Sequence, residues 1–186
     1  MDDDSKKMLD VISKHIIQQL PRGIFLSVGG DTPNTMTIGW GSLGNYWGCS
    51  VFTAPIRKQR FTYPLLLKEK SFILSVPDND MARELVLAGT LSGRDGNKFE
   101  RIGLETKPGR VVNAPAITAA KWQVECVVRA ETDMLYDRTD RAIAEKMYAA
   151  GDFHTLFMAE IVACYQKDGV SAPEQSGAAQ RTCLRE

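Results

Sequence analysis

Six short runs of strand-forming residues, separated by turns rich in glycine and proline, constrain the fold of this chain most. The run over residues 122–130 alternates apolar and polar positions, which is typical of a strand with one buried face. Only one or two connections are long enough for the helical crossover that parallel strands need. We therefore expect a mainly β protein whose antiparallel sheet curls into a barrel. The predicted strands are residues 23–30, 34–41, 49–56, 72–76, 122–130 and 155–165.

Three helices are predicted beside these strands. Residues 6–20 place apolar side chains at helical spacing, and residues 81–88 and 139–150 fit shorter helices that end at glycines. No internal repeat or linker divides the chain of 186 residues, so residues 1–165 are expected to form one domain that includes the first helix. Residues 166–186 are polar and are expected to form a mobile C-terminal tail.

The charge balance and the cysteine spacing restrict the partners and ligands that the chain is expected to bind. Lys and Arg number 23, as do Asp and Glu, so the cation surplus that nucleic-acid binding needs is missing. No apolar run reaches the length of a membrane span, and the N-terminus is acidic where a signal peptide would be basic. No two cysteines have metal-site spacing, so no metal is expected; Cys49, Cys126 and Cys164 are predicted as buried free thiols, and Cys183 as exposed. A cytoplasmic protein is the expectation.

Residues 39–44 spell GxGxxG, a pattern that can mark a dinucleotide-binding turn. Such a turn must open a helix, but residues 45–48 are Asn-Tyr-Trp-Gly, which favour no helix. We therefore reject the dinucleotide-binding interpretation.

Two loops carry donors suited to an anion. After the strand 49–56 come Arg57, Lys58 and Arg60, and Thr62 is placed to cap a short helix whose N–H groups would also face an anion. The second loop, residues 89–99, contains three glycines and two cations. Each loop alone could be an ordinary solvated turn. Together, beside a strand rich in Thr and Gly, they predict a flat, phosphorylated ligand.

Three segments carry a resemblance to a known family: residues 34–41 (NTMTIGWG), 57–62 (RKQRFT) and 89–99 (GTLSGRDGNKF). In order and spacing they are similar to the flavoredoxin-type branch of the flavin reductase-like, FMN-binding split-barrel family. The resemblance spans roughly residues 20–165. It implies a six-stranded antiparallel Greek-key split barrel, a homodimer, and FMN at the barrel edge near the dimer interface. The chain departs from the family in having Ala88 before Gly89, where a cysteine is common, and in its short polar tail.

The resemblance also implies the cofactor-binding residues. One group would line the flavin, a second would hold its phosphate, and a third would close over the phosphate and the ribityl chain. In that order they are Asn34, Thr35, Met36, Thr37 and Trp40; Arg57, Arg60 and Thr62; and Ser92, Arg94 and Lys98.

The leading hypothesis is therefore an FMN-dependent NAD(P)H oxidoreductase of the flavin reductase type. Flavin chemistry requires no acid–base pair from the protein, so no catalytic side chain is assigned. His15 and His154 are expected at the surface or in packing, and Trp47 and Trp122 in the core. The alternatives are a non-enzymatic FMN electron carrier, which would exchange electrons with a redox protein, and a cofactor-free barrel that serves as a binding module.

Overall fold

The computed structural model describes residues 1–78 and 80–166. Of the predicted tail, residues 167–186, including Cys183, lie outside this description. The helices begin and end close to the predicted positions, although the third predicted helix is much shorter than expected. The five α-helices are α1 (Asp3–Gln19), α2 (Thr62–Glu69), α3 (Ala82–Thr90), α4 (Lys98–Ile102) and α5 (Arg141–Met147).

Seven strands form the main sheet, in the order β2-β1-β5-β8-β9-β4-β3, and every neighbouring pair is antiparallel. Two short strands, β6 and β7, form a separate ladder. In chain order the strands are β1 (Ile24–Val28), β2 (Asn34–Ile38), β3 (Ser42–Tyr46), β4 (Cys49–Arg57), β5 (Ser71–Val76), β6 (Thr106–Pro108), β7 (Pro115–Ile117), β8 (Trp122–Asp133) and β9 (His154–Gln166).

The two ends of the main sheet are adjacent in the chain. β2 pairs with β1 and β3 pairs with β4, yet only residues 39–41 separate β2 from β3. One stretch of chain, residues 34–46, thus supplies both edges of the main sheet. Gly41 lies at this corner because a Cβ atom there would come within 2.4 Å of the Phe52 ring. The second half of the GxGxxG pattern lies in β3, and the pattern does not open a helix, which agrees with rejecting the dinucleotide-binding interpretation.

The predicted mainly β, antiparallel fold is confirmed, but β3, the short strands β6 and β7, and helix α4 were not predicted from the sequence. Most residues of β3 are exposed, so its sequence, SLGNY, shows no buried face to recognise. The third helix, predicted over residues 139–150, covers only Arg141–Met147. Ile143, an apolar residue of this helix, is half exposed.

The core fills the inside of the curled sheet. Alternate residues of β1, β4, β5, β8 and β9 point inward, among them the fully buried Phe52, Phe72 and Phe157. α1 closes one end of this core with Ile12 and Ile16. Cys49, Cys126 and Cys164 are buried, as predicted, and Cys126 and Cys164 are free thiols.

The outer face of the sheet is covered mainly by two groups of elements. α3 and α4 pack on Phe25 of β1. The segment around β6 and β7 packs on Ile73 of β5 and is held by Glu125, a fully buried carboxylate on β8. Glu125 accepts hydrogen bonds from the N–H groups of residues 110–112 at 2.6–2.8 Å and from the Tyr165 hydroxyl at 2.7 Å.

None of the helices described is long and apolar enough to cross a membrane.

Candidate functional site

A cleft of about 160 Å³ opens where the end of β2, the end of β4 and the start of β9 meet. The β4–β9 register places Arg57 directly opposite His154, so both side chains reach this edge of the sheet. Trp40, in the corner between β2 and β3, forms part of the rim and is 43% exposed. The lining residues are Met36, Thr37, Ile38, Gly39, Trp40, Pro55, Arg57, Arg60 and His154.

His154 is a cleft residue that the sequence analysis assigned to the surface or to packing. Its ring lies 5.0 Å from that of Trp40, and its Nδ1 atom is 2.8 Å from the Tyr148 hydroxyl. Burial lowers the pKa of His154 from 6.5 to about 4, and the nearby positive charge of Arg57 acts in the same direction. The imidazole is therefore neutral at pH 7. No local sequence pattern signals this position, because the strand pairing that creates it joins distant segments.

Arg57 lines the cleft and is also bonded to the segment between α5 and β9. Its guanidinium donates to the main-chain oxygens of Met147 and Asp152 at 2.9 and 2.8 Å, and it lies over the Tyr148 ring. The Asp152 carboxylate is 3.7 Å away. Arg57 thus ties the segment between α5 and β9 to β4. To serve as the predicted phosphate ligand, Arg57 would have to use guanidinium N–H groups that these contacts leave available.

Main-chain oxygens of α3 accept hydrogen bonds from three side chains of other elements, and two of these oxygens lie in its C-terminal turn. Thr37 donates to the oxygen of Leu85 at 2.6 Å. Lys98 donates to the oxygen of Ala88 at 2.6 Å, and Arg60 to that of Gly89 at 3.0 Å. Cations at a helix C-terminus are stabilised by the helix dipole, and an ammonium or guanidinium group has further N–H donors to offer a ligand. Thr37 and Arg60 also line the cleft, so this turn adjoins it.

Lys98 is the most buried of these cations, at 3% exposure. Burial, followed by the neighbouring guanidinium groups of Arg60 and Arg101, lowers the pKa of Lys98 from 10.5 to about 8. No ion pair joins Lys98, Arg60 or Arg94 to a carboxylate within residues 1–78 and 80–166. The local charge is therefore uncompensated, which favours binding of an anion.

Ser92 and Arg94 extend this basic group on the same loop. Arg94 donates to the oxygen of Gln59 at 3.3 Å and lies over the Phe61 ring at 5.7 Å. The Ser92 hydroxyl accepts from the N–H of Arg94 at 3.2 Å. The two loops predicted as anion sites therefore contact each other directly, through Arg94 and Gln59 and through Arg60 and Gly89.

Asn34, Thr35 and Thr62 have buried, structural contacts. Asn34 donates from its side-chain amide to the Thr62 hydroxyl at 2.7 Å, which links β2 to α2. Thr62 is the first helical residue and not the predicted N-cap, a position that Phe61 occupies without a side-chain hydrogen bond. The Thr35 hydroxyl accepts from Ser27 at 3.1 Å on the outer face of the sheet.

The remaining aromatic and histidine predictions have mixed outcomes. Trp122 is buried, and His15 packs against it at 4.3 Å while its Nε2 atom contacts the oxygen of Pro77. Trp47, predicted in the core, is 49% exposed at the turn between β3 and β4. The sequence analysis counted all tryptophans as apolar and had no signal for a surface turn at this position.

A second hollow, of about 540 Å³, lies beyond α4. Phe99 and Leu104 form part of its wall, and Glu100 and Glu105 add two carboxylates. This acidic lining disfavours a phosphate. The cleft beside the basic group is therefore the better candidate for an anionic ligand.

The residues of the cleft fit a flavin mononucleotide. Trp40 offers an aromatic surface, and the uncompensated charge of Lys98, Arg60 and Arg94 suits a phosphate. The cleft alone is smaller than the ~300–1,000 Å³ typical of small-molecule sites, so one subunit would enclose only part of the ligand.

The fold and the site together define an antiparallel, barrel-like sheet with a cleft at one edge that is lined in part by Arg57, Arg60 and His154. A family model described as the flavin reductase like domain matches residues 17–178. The chain belongs to this family, which confirms the resemblance found in the sequence. An uncharacterised protein of Pyrococcus abyssi is 31% identical over 145 residues, which are 78% of this chain and 73% of that protein.

Solved structures with the same fold come from several organisms. The flavoredoxin of Desulfovibrio vulgaris has a TM-score of 0.63 and 21% identity, over 78% of this chain and 69% of that one. An FMN-binding protein of Thermus thermophilus has a TM-score of 0.62 and 22% identity, over 79% and 71%. An NADH:FAD oxidoreductase of Streptomyces globisporus has a TM-score of 0.62 and 17% identity, over 77% and 74%.

Proposed function

We propose that the protein binds FMN in this cleft and catalyses its reduction by a reduced nicotinamide. The observation that carries the proposal is the cluster of Lys98, Arg60 and Arg94, which has no carboxylate partner in the described chain and adjoins an aromatic-lined cleft. Family membership and the names of the similar structures, which include an FMN-binding protein and an NADH:FAD oxidoreductase, support the same activity.

In this proposal the two basic loops hold the phosphate. Lys98 and Arg60 keep their bonds to α3 and use their remaining N–H groups for the ligand, while Arg94 and Ser92 close the loop over it. Trp40 and Met36 contact the ring system, and neutral His154 borders it. The bound flavin would supply the redox chemistry by accepting a hydride from the nicotinamide. The protein's part is to bind, orient and limit the access of water.

FMN is preferred over FAD because the basic cluster suits a terminal phosphate with two negative charges. Titration of the purified protein with FMN, FAD and riboflavin, followed by flavin fluorescence, tests this preference. We expect FMN to bind most tightly and riboflavin most weakly. Equal affinity for FMN and riboflavin would contradict a phosphate site in the cluster.

A non-enzymatic electron carrier is the second candidate, since the structures with this fold include a flavoredoxin. An absorbance spectrum followed by assays of NADH and NADPH oxidation separates the possibilities. We expect a flavin spectrum and nicotinamide oxidation that depends on flavin. A yellow protein that oxidises neither nicotinamide without a partner reductase would be a carrier. A colourless protein that takes up no added flavin would be a cofactor-free binding module.

The proposal includes a homodimer and a cytoplasmic location. The dimer is suggested by the small volume of the cleft, which leaves much of a flavin uncovered in a single subunit. The location is suggested by the buried free thiols of Cys126 and Cys164, which fit a reducing compartment.

A further inference from the structure

The hollow beyond α4 is a concave region of the molecule that the proposed flavin reduction does not use. Its volume of about 540 Å³ falls within the ~300–1,000 Å³ typical of small-molecule sites, whereas the cleft of about 160 Å³ does not. The two regions share no lining residue. α4, the turn that follows it and the start of β7 form most of the wall of the hollow. The hollow is therefore large enough to hold a ligand of its own.

Hydrogen bonds hold the walls of the hollow in place. The Asn97 side chain accepts from the N–H of Phe99 at 3.0 Å, which caps α4, and donates to the Glu100 carboxylate at 2.8 Å. The main-chain oxygen of Glu105 accepts from the N–H and the hydroxyl of Thr118 at 3.0 and 3.2 Å. These contacts order the hollow before any ligand arrives, and a preformed site avoids the entropy cost of ordering it during binding.

Part of the lining is apolar. Phe99 and Leu104 contribute an aromatic ring and an aliphatic side chain, and Pro33 and Pro115 add two further apolar side chains. Surfaces of this kind pack against the hydrocarbon part of a small molecule. An aromatic ring also attracts a cation that approaches its face.

The charged part of the lining is negative. Glu100 and Glu105 are exposed, and neither forms an ion pair with a Lys, Arg or His side chain in the portion of the chain that the structure describes. The neighbouring cation Arg101 instead donates to the main-chain oxygen of Asp95 at 3.5 Å. No cationic side chain among the described residues lines the hollow. The negative charge there is uncompensated, which favours a positively charged ligand.

The donor set fits an organic cation better than a metal ion. Hard divalent cations take six or more oxygen ligands, several of them usually carboxylates. Within residues 1–78 and 80–166, no three His, Cys, Asp or Glu side chains are grouped so that they could hold a metal. An ammonium group needs only one or two carboxylate acceptors, and the carbon skeleton that carries it would use the apolar walls.

We propose that this hollow binds a small organic amine, with its ammonium group beside Glu100 and Glu105 and its apolar body against Phe99 and Leu104. The uncompensated carboxylates select the positive charge, and the apolar walls select a ligand with a hydrocarbon body. The site is additional to the proposed flavin reduction, and binding of an amine here requires no flavin in the cleft.

Three ligands of similar shape and different charge test the selectivity. Isothermal titration calorimetry of the full-length protein, at neutral pH and low salt, would compare phenethylamine with phenethyl alcohol and phenylpropionate. We expect the amine to bind about four- to twentyfold more tightly than the neutral alcohol, which is the effect of two exposed ion pairs. The anionic phenylpropionate should bind most weakly. Absence of phenethylamine binding, or equal affinity for the amine and the alcohol, would overturn the proposal.

Two isosteric variants test the residues. Glu100→Gln and Glu105→Gln each remove one charge and should each weaken phenethylamine binding about two- to fivefold. The double variant should bind the amine no more tightly than it binds the alcohol, and a folded double variant with the wild-type affinity would also overturn the proposal. Glu145→Gln, which removes an exposed carboxylate from α5, is the matched control and should bind phenethylamine like the wild type. Thermal unfolding establishes folding, and flavin titration of the same samples reports separately on the proposed function.

Discussion

Lys98 and Arg60 meet at the C-terminal turn of α3, where they donate to the adjacent main-chain oxygens of Ala88 and Gly89. The positive charge of Arg60 is one reason why the pKa of Lys98 falls to about 8. Two cations so close together destabilise each other unless negative charge is near. The helix end supplies part of that charge, and a bound phosphate would supply the rest.

Removing the Lys98 ammonium should weaken FMN binding. One charge-assisted hydrogen bond contributes about 1.5–3 kcal/mol, so Lys98→Met should raise the FMN dissociation constant about 10- to 150-fold in fluorescence titrations. Lys6→Met, which removes an exposed cation from α1, is the control and should leave it unchanged. Since Lys98 also bonds to α3, thermal unfolding must show that the variant is folded. An unchanged FMN affinity would rule out Lys98 as a phosphate ligand.

The low pKa of Lys98 also predicts how stability varies with alkaline pH. The folded protein releases this proton near pH 8, whereas an unfolded lysine holds it to ~10.4. The unfolded state therefore binds more protons between these values, and the contribution of Lys98 to stability rises with pH across that window. Thermal unfolding at pH 7.5–9.5 should show this rise in the wild type relative to Lys98→Met. Saturating FMN should reduce the difference, because a nearby phosphate raises the pKa of Lys98.

His154 predicts a loss of stability in acid. Its folded pKa of about 4 lies below the unfolded value of ~6.5, so the unfolded state takes up the proton first as pH falls. The stabilising contribution is complete above pH ~6.5 and is lost as pH falls toward 4. His154→Gln should flatten the dependence of unfolding temperature on pH in this range. Tyr148→Phe keeps the His154 ring buried and should retain most of this pH dependence. A His154→Gln variant with the pH dependence of the wild type would contradict the lowered pKa of His154.

Glu125 should be essential to the segment that covers the outer face of β5 and β8. Glu125→Gln replaces one carboxylate oxygen by an NH₂ group that cannot accept from the N–H groups of residues 110–112. Each buried N–H left unpaired costs about 1–3 kcal/mol, which chemical denaturation would measure. Glu131→Gln, which breaks an exposed pair with Lys70, should cost no more than about 1 kcal/mol. Equal losses in the two variants would show that the buried contacts contribute little.

Local patterns predicted most of the strands because their side chains alternate between the core and the outer face. β8, for example, buries Val124 and Cys126 on the core face, and core-facing residues recur at every second position of this strand. β3 lacks a buried face, and β6 and β7 have only three residues each. An alternation of buried and exposed residues cannot be detected in strands that are this short or have no buried face.

The candidate site was predictable where donors lie close together in sequence, and less so where strand pairing brings them together. Arg60 and Lys98 were named from two loops, and their common attachment to α3 depends on tertiary packing. His154 reaches the cleft through the β4–β9 register, which pairs it with a residue 97 positions earlier, Arg57. Nothing in the sequence around His154 specifies that partner.

The corner at residues 39–41 joins two strands that pair with opposite ends of the sheet, and it carries Trp40. Because only three residues connect these strands, a ligand that displaced the Trp40 indole would act on the connection between the two edges of the sheet.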